Sequence, residues 1–489
     1  MDYALLISAF TSQHGHRAWP RQRLLHECLR SAIRDGTLAA GTRLVATRAL
    51  ATELGVARNT VLYAYEQLAS EGFVTTDKRG TIVASIVPEQ GRQRTPVPQA
   101  GLSKRAQNLR RLHASASVAS AFVPGVPDLD SFPLALWRRM LDRAWRAIES
   151  RQLNYGNPAG DASLREAIAD HLRASRGVVC DASQVFITDG SQSSLELCAR
   201  ACADDGETVW MENPGYGGAI AAFRSAGLKL EAIAVDEEGI APQASDWKRR
   251  KPRLIYTTPS HQYPVGTVLS LQRRMALIDG ARAAGALIIE DDYDSEFRHD
   301  GPPLSAMQGL APDAPVLYCG TFSKTMYPGL RIGFLVVPPE LAGPMATMRA
   351  QSANSGRTAE QLALAEFLRS GQFALHLRRM RRLYGQRRDV LVEALHKHLG
   401  KIAEVHGASA GMHLSLRFRD QRISDIDINQ RAREEGIIVN ALSAHAIGET
   451  GWNGLMLGYA QVPAEQIEGL VKRLAAIIHL AAFTANRKP

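Results

Sequence analysis

From Phe122 onward, short apolar runs alternate with amphipathic helical stretches, and this alternation is the strongest constraint on what the chain can fold into. VFIT (185–188), VWMEN (209–213), LIYT (254–257), ALIIED (286–291), PVLYC (315–319) and RIGFLVV (331–337) read as buried strands. Helical patterns such as DASLREAIADHL (161–172) and SLELCARAC (194–202) fall between them. Such an order implies an α/β domain with a mostly parallel sheet. Open sheets of this kind bind ligands at the carboxyl ends of their strands. The residues of this chain with chemical potential follow its strands.

The run YCGTFSKTMYPGLRIG (318–333) sets Lys324 on a turn between two core strands, among Gly320, Thr321, Ser323 and Thr325. A lysine on a rigid scaffold can shed its proton and attack a carbonyl. The hydroxyls and Arg331 suit a phosphate. An ordinary surface-turn lysine is the alternative. Gly190-Ser191-Gln192 opens a helix after a strand, where backbone N–H groups and the helix dipole favour an anion. Tyr216 sits on a Pro-Gly turn, able to stack on a planar ring. Glu290, Asp291, Asp292, Asp294 and Glu296 admit two readings: a Mg²⁺ or Ca²⁺ site, or one buried carboxylate opposite a pyridine nitrogen. The spacing is not that of an EF-hand. The pyridine reading also accounts for the lysine, the anion turn and the tyrosine, so no metal site is expected.

A chain of 489 residues exceeds one ordinary core, and two or three domains are expected. The net charge of +9 is uneven: residues 1–115 hold 16 Lys/Arg against 8 Asp/Glu, and the remainder is nearly neutral. That points to a polyanionic partner for the N-terminal part. Five cysteines without a CxxC pair suit free thiols in a reducing compartment. Cys198 and Cys202 share a helix face and read as core thiols. No run reaches membrane-spanning length, and YALLISAF lacks a basic leader. A cytoplasmic location is expected.

Residues 12–86 read as a winged helix-turn-helix. A helix over Arg21–Asp35 precedes ATRALATELGVARNTVLYAYEQLASEGF, a helix, a turn at Gly55 and a second helix. Val61, Tyr65 and Leu68 form the inner face of that second helix. Arg58, Asn59, Thr60, Tyr63 and Gln67 are left for a major groove. Phe73–Thr76 and Thr81–Ile86 form a two-stranded wing with a basic tip at Lys78 and Arg79. Residues 87–115, rich in Pro, Gly, Arg and Gln, read as a linker. Within it LSKRAQNLRRL suits a basic helix, on DNA or on the next domain. Residues 116–489 form the large domain.

GTRL, TRALATELGVARNTV, YEQLASEGFV and RGTIVAS resemble the GntR family of DNA-binding domains. The resemblance implies contacts with double-stranded DNA from Arg48, Arg58 and Thr60, and a wing near Gly80 in the minor groove. Val45-Ala46-Thr47 stands where that family has a Pro-Ser run. YGNPAG, GSQ, ENPGY, PSHQYPVG, EDDYDSEF and TFSKTMYPGLRIG, in this order, resemble the fold-type I aminotransferases. The two halves together resemble the MocR (GabR-like) regulators, over nearly the whole chain. This implies a fold-type I domain with a small C-terminal α+β subdomain, and pyridoxal 5'-phosphate (PLP) as an internal aldimine on Lys324. Asp291 would pair with the pyridine nitrogen, Tyr293 with the ring hydroxyl, and Tyr216 would stack. Ser191, Gln192, Thr321, Ser323 and Arg331 would hold the phosphate. Tyr155 would reach the phosphate of the neighbouring subunit in a head-to-tail homodimer. The expected function is transcriptional regulation by an effector that is an amine, which displaces Lys324, or PLP itself. Active transamination is the alternative.

Two departures bear on turnover. Tyr263-Pro264-Val265-Gly266 replaces the enzymes' Asn-Pro-x-Gly. Met456, in GLMLGYA, stands where those enzymes place the arginine that clamps the substrate carboxylate. Gly218 stands where the GABA-responsive regulator has an arginine. Methionine offers no charged pair, so feeble or absent transamination of α-amino acids is expected, with Met456→Arg restoring some. Arg349 and Arg357 are candidate substitutes for the clamp.

Overall fold

The computed structural model describes residues 2–14, 19–78, 80–85, 101, 103, 121–301, 304–311, 313–352 and 356–485. The chain divides into two compact units, Met1–Gly101 and Leu102–Pro489. The expected linker, with its LSKRAQNLRRL stretch, lies almost wholly outside the described residues, as does Arg79 of the wing.

The N-terminal unit packs helices Tyr3–His14, Arg21–Arg34, Thr47–Glu53 and Arg58–Ser70 on one apolar core. Leu25, Leu29, Leu50, Val61, Ala64 and Leu68 are buried there, and the Tyr65 hydroxyl donates to the Val45 carbonyl at 2.8 Å. Gly55 turns the chain between the last two helices at φ 60°. Tyr3 is buried in the same core, and its backbone N–H reaches the Glu53 carboxylate at 3.3 Å. The packed unit thus reaches back before residue 12. Strands β1 (Val74–Asp77) and β2 (Gly80–Val83) pair antiparallel, with Asp77 opposite Gly80. That register extends the wing strands to Asp77 and Gly80, which the pattern had left in the turn.

The second unit is built on an eight-stranded sheet of β3 (Val185–Thr188), β4 (Thr208–Asn213), β5 (Lys229–Asp236), β6 (Gly239–Ile240), β7 (Leu254–Thr257), β8 (Leu287–Asp292), β9 (Val316–Thr321) and β10 (Gly333–Val336). The spatial order is β3-β10-β9-β8-β7-β4-β5-β6. Strands β5, β4, β7, β8 and β9 run parallel, and β10 runs antiparallel between β3 and β9. Alternate residues of the inner strands enter two separate cores. Trp210, Ile255, Ile288 and Tyr318 face one; Met211, Tyr256, Ile289 and Cys319 face the other. Burial on both faces explains why these strands read as continuous apolar runs. The five cysteines are free and buried. Cys198 and Cys202 pack in the second core.

A second, antiparallel sheet follows: β11 (Ala403–His406), β12 (His413–Phe418), β13 (Asn440–Ala441) and β14 (Gly454–Gly458), ordered β11-β12-β14-β13. Helices Gln372–Leu399 and Ala464–Ala485 pack on one another beside it. Among the described residues no helix is long and apolar enough to cross a membrane.

Candidate cofactor pocket and nucleic-acid interface

Loops at the carboxyl ends of β3, β4, β7, β8 and β9 build the pocket. Lys324 sits on the turn joining β9 to the antiparallel β10, half-buried, as its pattern predicted. Its Nζ donates to the Gly125 carbonyl at 2.6 Å. Burial pushes the ammonium pKa down, against the pull of Asp294 and Asp291. A Cβ at Gly125 would lie 3.1 Å from Nζ, so glycine there leaves the amine room.

Asp291 is buried near the end of β8. Its Oδ2 accepts from the Tyr256 hydroxyl at 2.8 Å, while its Oδ1 has no partner. Burial lifts the carboxyl to about 7; the Tyr256 hydrogen bond and nearby Lys324 hold it lower than burial alone would. A buried polar atom without a partner costs free energy, and a cationic N–H from a ligand ring would relieve it. The rest of the acidic run does not converge on one ion. Asp292 pairs with Arg176 at 2.8 Å and accepts from the Tyr318 hydroxyl at 2.5 Å. Glu290 accepts from the backbone of Met307 and Gln308 at 2.9 and 3.2 Å. Adjacent strand residues face opposite sides of the sheet, which separates Asp291 from both.

The anion turn lies at the start of helix Ser191–Cys202. Gly190 precedes it at φ 96°, and a Cβ there would sit 3.6 Å from the Arg331 guanidinium. The guanidinium of Arg331, a residue itself at φ 52°, thus lies beside the helix N-terminus. The Thr321 Oγ1 accepts from the Ser323 N–H at 3.2 Å, and Ser323 lies on the same turn as Lys324. The Gln192 amide donates to the Gly218 carbonyl at 3.2 Å, tying this turn to the Tyr216 loop.

Tyr216 caps helix Gly217–Ser225 and meets Tyr263 edge-on at 5.3 Å between centroids. A Cβ at Gly218 would fall 2.5 Å from the Tyr216 ring, so any larger residue there must displace the ring. The Tyr293 hydroxyl donates to the His261 carbonyl at 2.8 Å. Tyr155 is 89% exposed and meets none of the other pocket residues of its own chain in a hydrogen bond or ring contact.

Met456 is fully buried on β14, opposite Ser415 and Asn440, in an apolar cluster with Val265, Leu442 and Trp452. Arg349 and Arg357 instead share a small cavity with Arg331, Thr188 and Asp189. The Arg349 Nε donates to the Pro158 carbonyl at 2.8 Å, and Arg357 pairs with Asp189 at 3.2 Å. They stand on the Arg331 side, apart from the Met456 cluster.

Pattern reading missed Gly125, Tyr256 and Glu212. Glu212 is buried and accepts from Thr257 Oγ1 at 2.6 Å, Thr258 Oγ1 at 2.7 Å and Gln262 Nε2 at 3.1 Å, which pins the loop after β7. A polar residue at the end of an otherwise apolar strand was the available signal.

In the N-terminal unit, Arg58 and Asn59 open the second helix of the motif and are exposed; Thr60 is half-buried. Arg48 is exposed on the helix before it. Gly80 adopts φ 133°, and a Cβ there would lie 3.8 Å from the side chain of Arg43, a basic residue beside the wing that the pattern had not singled out.

A family described as aminotransferase class I and II matches residues 126–474, and one described as bacterial regulatory proteins, gntR family, matches residues 22–83. Among solved structures, a kynurenine aminotransferase from Pyrococcus horikoshii superposes with a TM-score of 0.71 at 27% identity, covering 78% of this chain and 97% of its own. The large unit therefore belongs to the class I and II aminotransferase family, carried behind a GntR-family winged helix. Two regulators match along nearly their full length. One is named probable rhizopine catabolism regulatory protein MocR, from Rhizobium meliloti, 39% identical over 95% of each chain. The other is the pyridoxine biosynthesis transcriptional regulator PdxR of Corynebacterium glutamicum, 32% identical over 93% of this chain and 95% of its own. The chain belongs to the MocR subfamily of GntR transcriptional regulators.

Proposed function

We propose that this regulator binds operator DNA through its N-terminal unit as a head-to-tail homodimer and carries PLP on Lys324 to sense a small molecule. The observation that carries the cofactor reading is the unpartnered Asp291 Oδ1, in a pocket that also holds a deprotonation-prone lysine and a glycine-lined anion turn. PLP, when bound, supplies an aldehyde that primary amines can capture. Lys324 would hold it covalently, and Asp291 would keep the ring nitrogen protonated. Tyr293 would face the ring hydroxyl and Tyr216 the ring plane. Ser191, Gln192, Thr321, Ser323 and Arg331 would take the phosphate, with Tyr155 contributed to the neighbouring subunit.

Sensing without turnover follows from Met456. An α-carboxylate brought to a partly desolvated pocket needs a cation, and that position holds a thioether among Trp452, Leu442 and Val265. The effector is then PLP or an amine whose acidic group lies elsewhere or is absent. Arg48, Arg58, Asn59, Thr60 and the wing at Gly80 are assigned to DNA.

Borohydride reduction of PLP-loaded protein followed by peptide mapping tests the cofactor assignment: the label belongs on Lys324, and Lys324→Ala should lose it while remaining folded. A label on another lysine refutes it. Operator binding measured with and without PLP and a panel of amines tests the regulatory reading. Single-turnover conversion of the bound PLP, fast and saturable with common α-amino acids, would promote the enzyme alternative.

A further inference from the structure

Beside the pocket, three buried side chains from distant parts of the sequence converge next to Tyr293, whose hydroxyl lies 3.2 Å from the His261 Nδ1. His261 follows β7, Asp294 follows β8, and His413 opens β12 of the C-terminal sheet. One ligating atom from each lies within 4.8 Å of the other two. The His261 Nδ1 is 3.1 Å from the Asp294 Oδ2, and the His261 Nε2 is 3.2 Å from the Gly407 carbonyl. The His413 ring hydrogen-bonds the Pro264 carbonyl, yet its Nε2 is buried with no partner. The two imidazole centroids are 4.5 Å apart.

We propose that His261, Asp294 and His413 form a binding site for a divalent transition metal of the zinc class, joining the loops of the large sheet to the C-terminal sheet. Two imidazoles and one carboxylate suit Zn²⁺ and its neighbours and disfavour Ca²⁺ and Mg²⁺, which require oxygen. Each histidine has one ring nitrogen on a backbone carbonyl, the outer contact that aims the other nitrogen at a metal. The Met412 N–H donates to the Asp294 Oδ2 at 3.3 Å and orients the carboxylate in the same way. Ligand bonds of ~2.0–2.2 Å around a tetrahedral ion place ligating atoms roughly 3.3–3.6 Å apart. The His261–Asp294 pair, at 3.1 Å, opens by roughly 0.2–0.5 Å to reach that spacing, and a pair at the 4.8 Å limit contracts by roughly 1.2–1.5 Å. Gly411, at φ 78°, closes one side with backbone: a Cβ there would lie 2.2 Å from the His261 Nδ1 and 2.4 Å from the Asp294 Oδ2. The fourth position falls to water or an exogenous donor. The expectation of no metal did not weigh these two histidines, which come from parts of the chain far from the acidic run.

The test is titration of the full-length, chelator-stripped protein with Zn²⁺, with and without PLP, so that the outcome does not depend on the cofactor assignment. One tight equivalent per chain is expected, weakened ~100-fold or more in His413→Gln and in Asp294→Asn, with Ca²⁺ and Mg²⁺ failing to compete. Zn²⁺ uptake equal in wild type and both variants would place the ion on exposed histidines and overturn the site. Absence of tight binding would overturn it equally. Should a variant misfold, X-ray absorption of the wild-type Co²⁺ complex decides: two imidazoles and a carboxylate sustain the assignment, and any other donor set removes it.

Discussion

Replacing Asp291 by asparagine should act in opposite directions on the cofactor-free and cofactor-loaded protein. In the folded chain the Asp291 carboxyl titrates at about 7, mainly because it is buried. Unfolded, it titrates near ~3.9. A raised folded pKa means that the folded state holds the proton more tightly. Below about pH 4 both states are protonated and there is no penalty; between about pH 4 and 7 stability falls as pH rises. At pH 8 the full penalty applies, on the order of 4 kcal/mol at ~1.4 kcal/mol per pH unit. Asparagine removes that charge and can still accept from Tyr256. The cofactor-free variant should therefore gain stability over wild type, more at pH 8 than at pH 5. PLP binding should weaken, because a charge-assisted hydrogen bond worth ~1.5–3 kcal/mol is lost, a factor of roughly 10–150 in Kd. The assays are calorimetric unfolding of the large domain at the two pH values and PLP titration by absorbance. Destabilisation of the cofactor-free variant at pH 8, or unchanged PLP affinity, would refute the placement of Asp291 against the ring.

Met456→Arg should lower the melting temperature, because it buries a guanidinium in an apolar cluster without a partner, a cost of ~3 kcal/mol or more. The pattern-based expectation that it also creates some transamination is checked in a single-turnover assay, since the Met456 cluster abuts Tyr263, which meets Tyr216 of the pocket. Gly190→Ala should weaken PLP binding measured by titration, as φ 96° costs a non-glycine residue ~1–3 kcal/mol and strains the anion turn. Operator binding should fall steeply with salt in mobility-shift titrations. Arg58→Ala should cost ~1–3 kcal/mol on the operator if it reads a base, and equally on random DNA if it holds a phosphate.

Local periodicity made much of this protein legible. The 3.6-residue pattern through Val61, Tyr65 and Leu68 marked the inner face of a helix, and all three are buried. The apolar runs at 185–188, 254–257 and 315–319 were strands because strands buried on both faces need apolar side chains at every position. Lys324 was placed correctly because its turn is defined by strands immediately before and after it.

What depends on distant parts of the chain was not legible. EDDYD offers several carboxylates within five positions, and only the pairing of β8 with β7 and β9 shows that Asp292 spends itself on Arg176 while Asp291 keeps a free oxygen. Tyr256 looked like a core residue until the sheet set it beside Asp291. Arg349 and Arg357 carried the right charge for a carboxylate clamp, but the fold holds them on the Arg331 side. His261 lies in a loop after a strand of the large sheet and His413 opens a strand of the C-terminal sheet, and nothing in either local pattern refers to the other. Sequence determines local conformation through sterics and periodicity within a few residues. The polar partnerships of this pocket form between strands far apart in the chain, where register and burial decide which atoms meet and which are left without a partner.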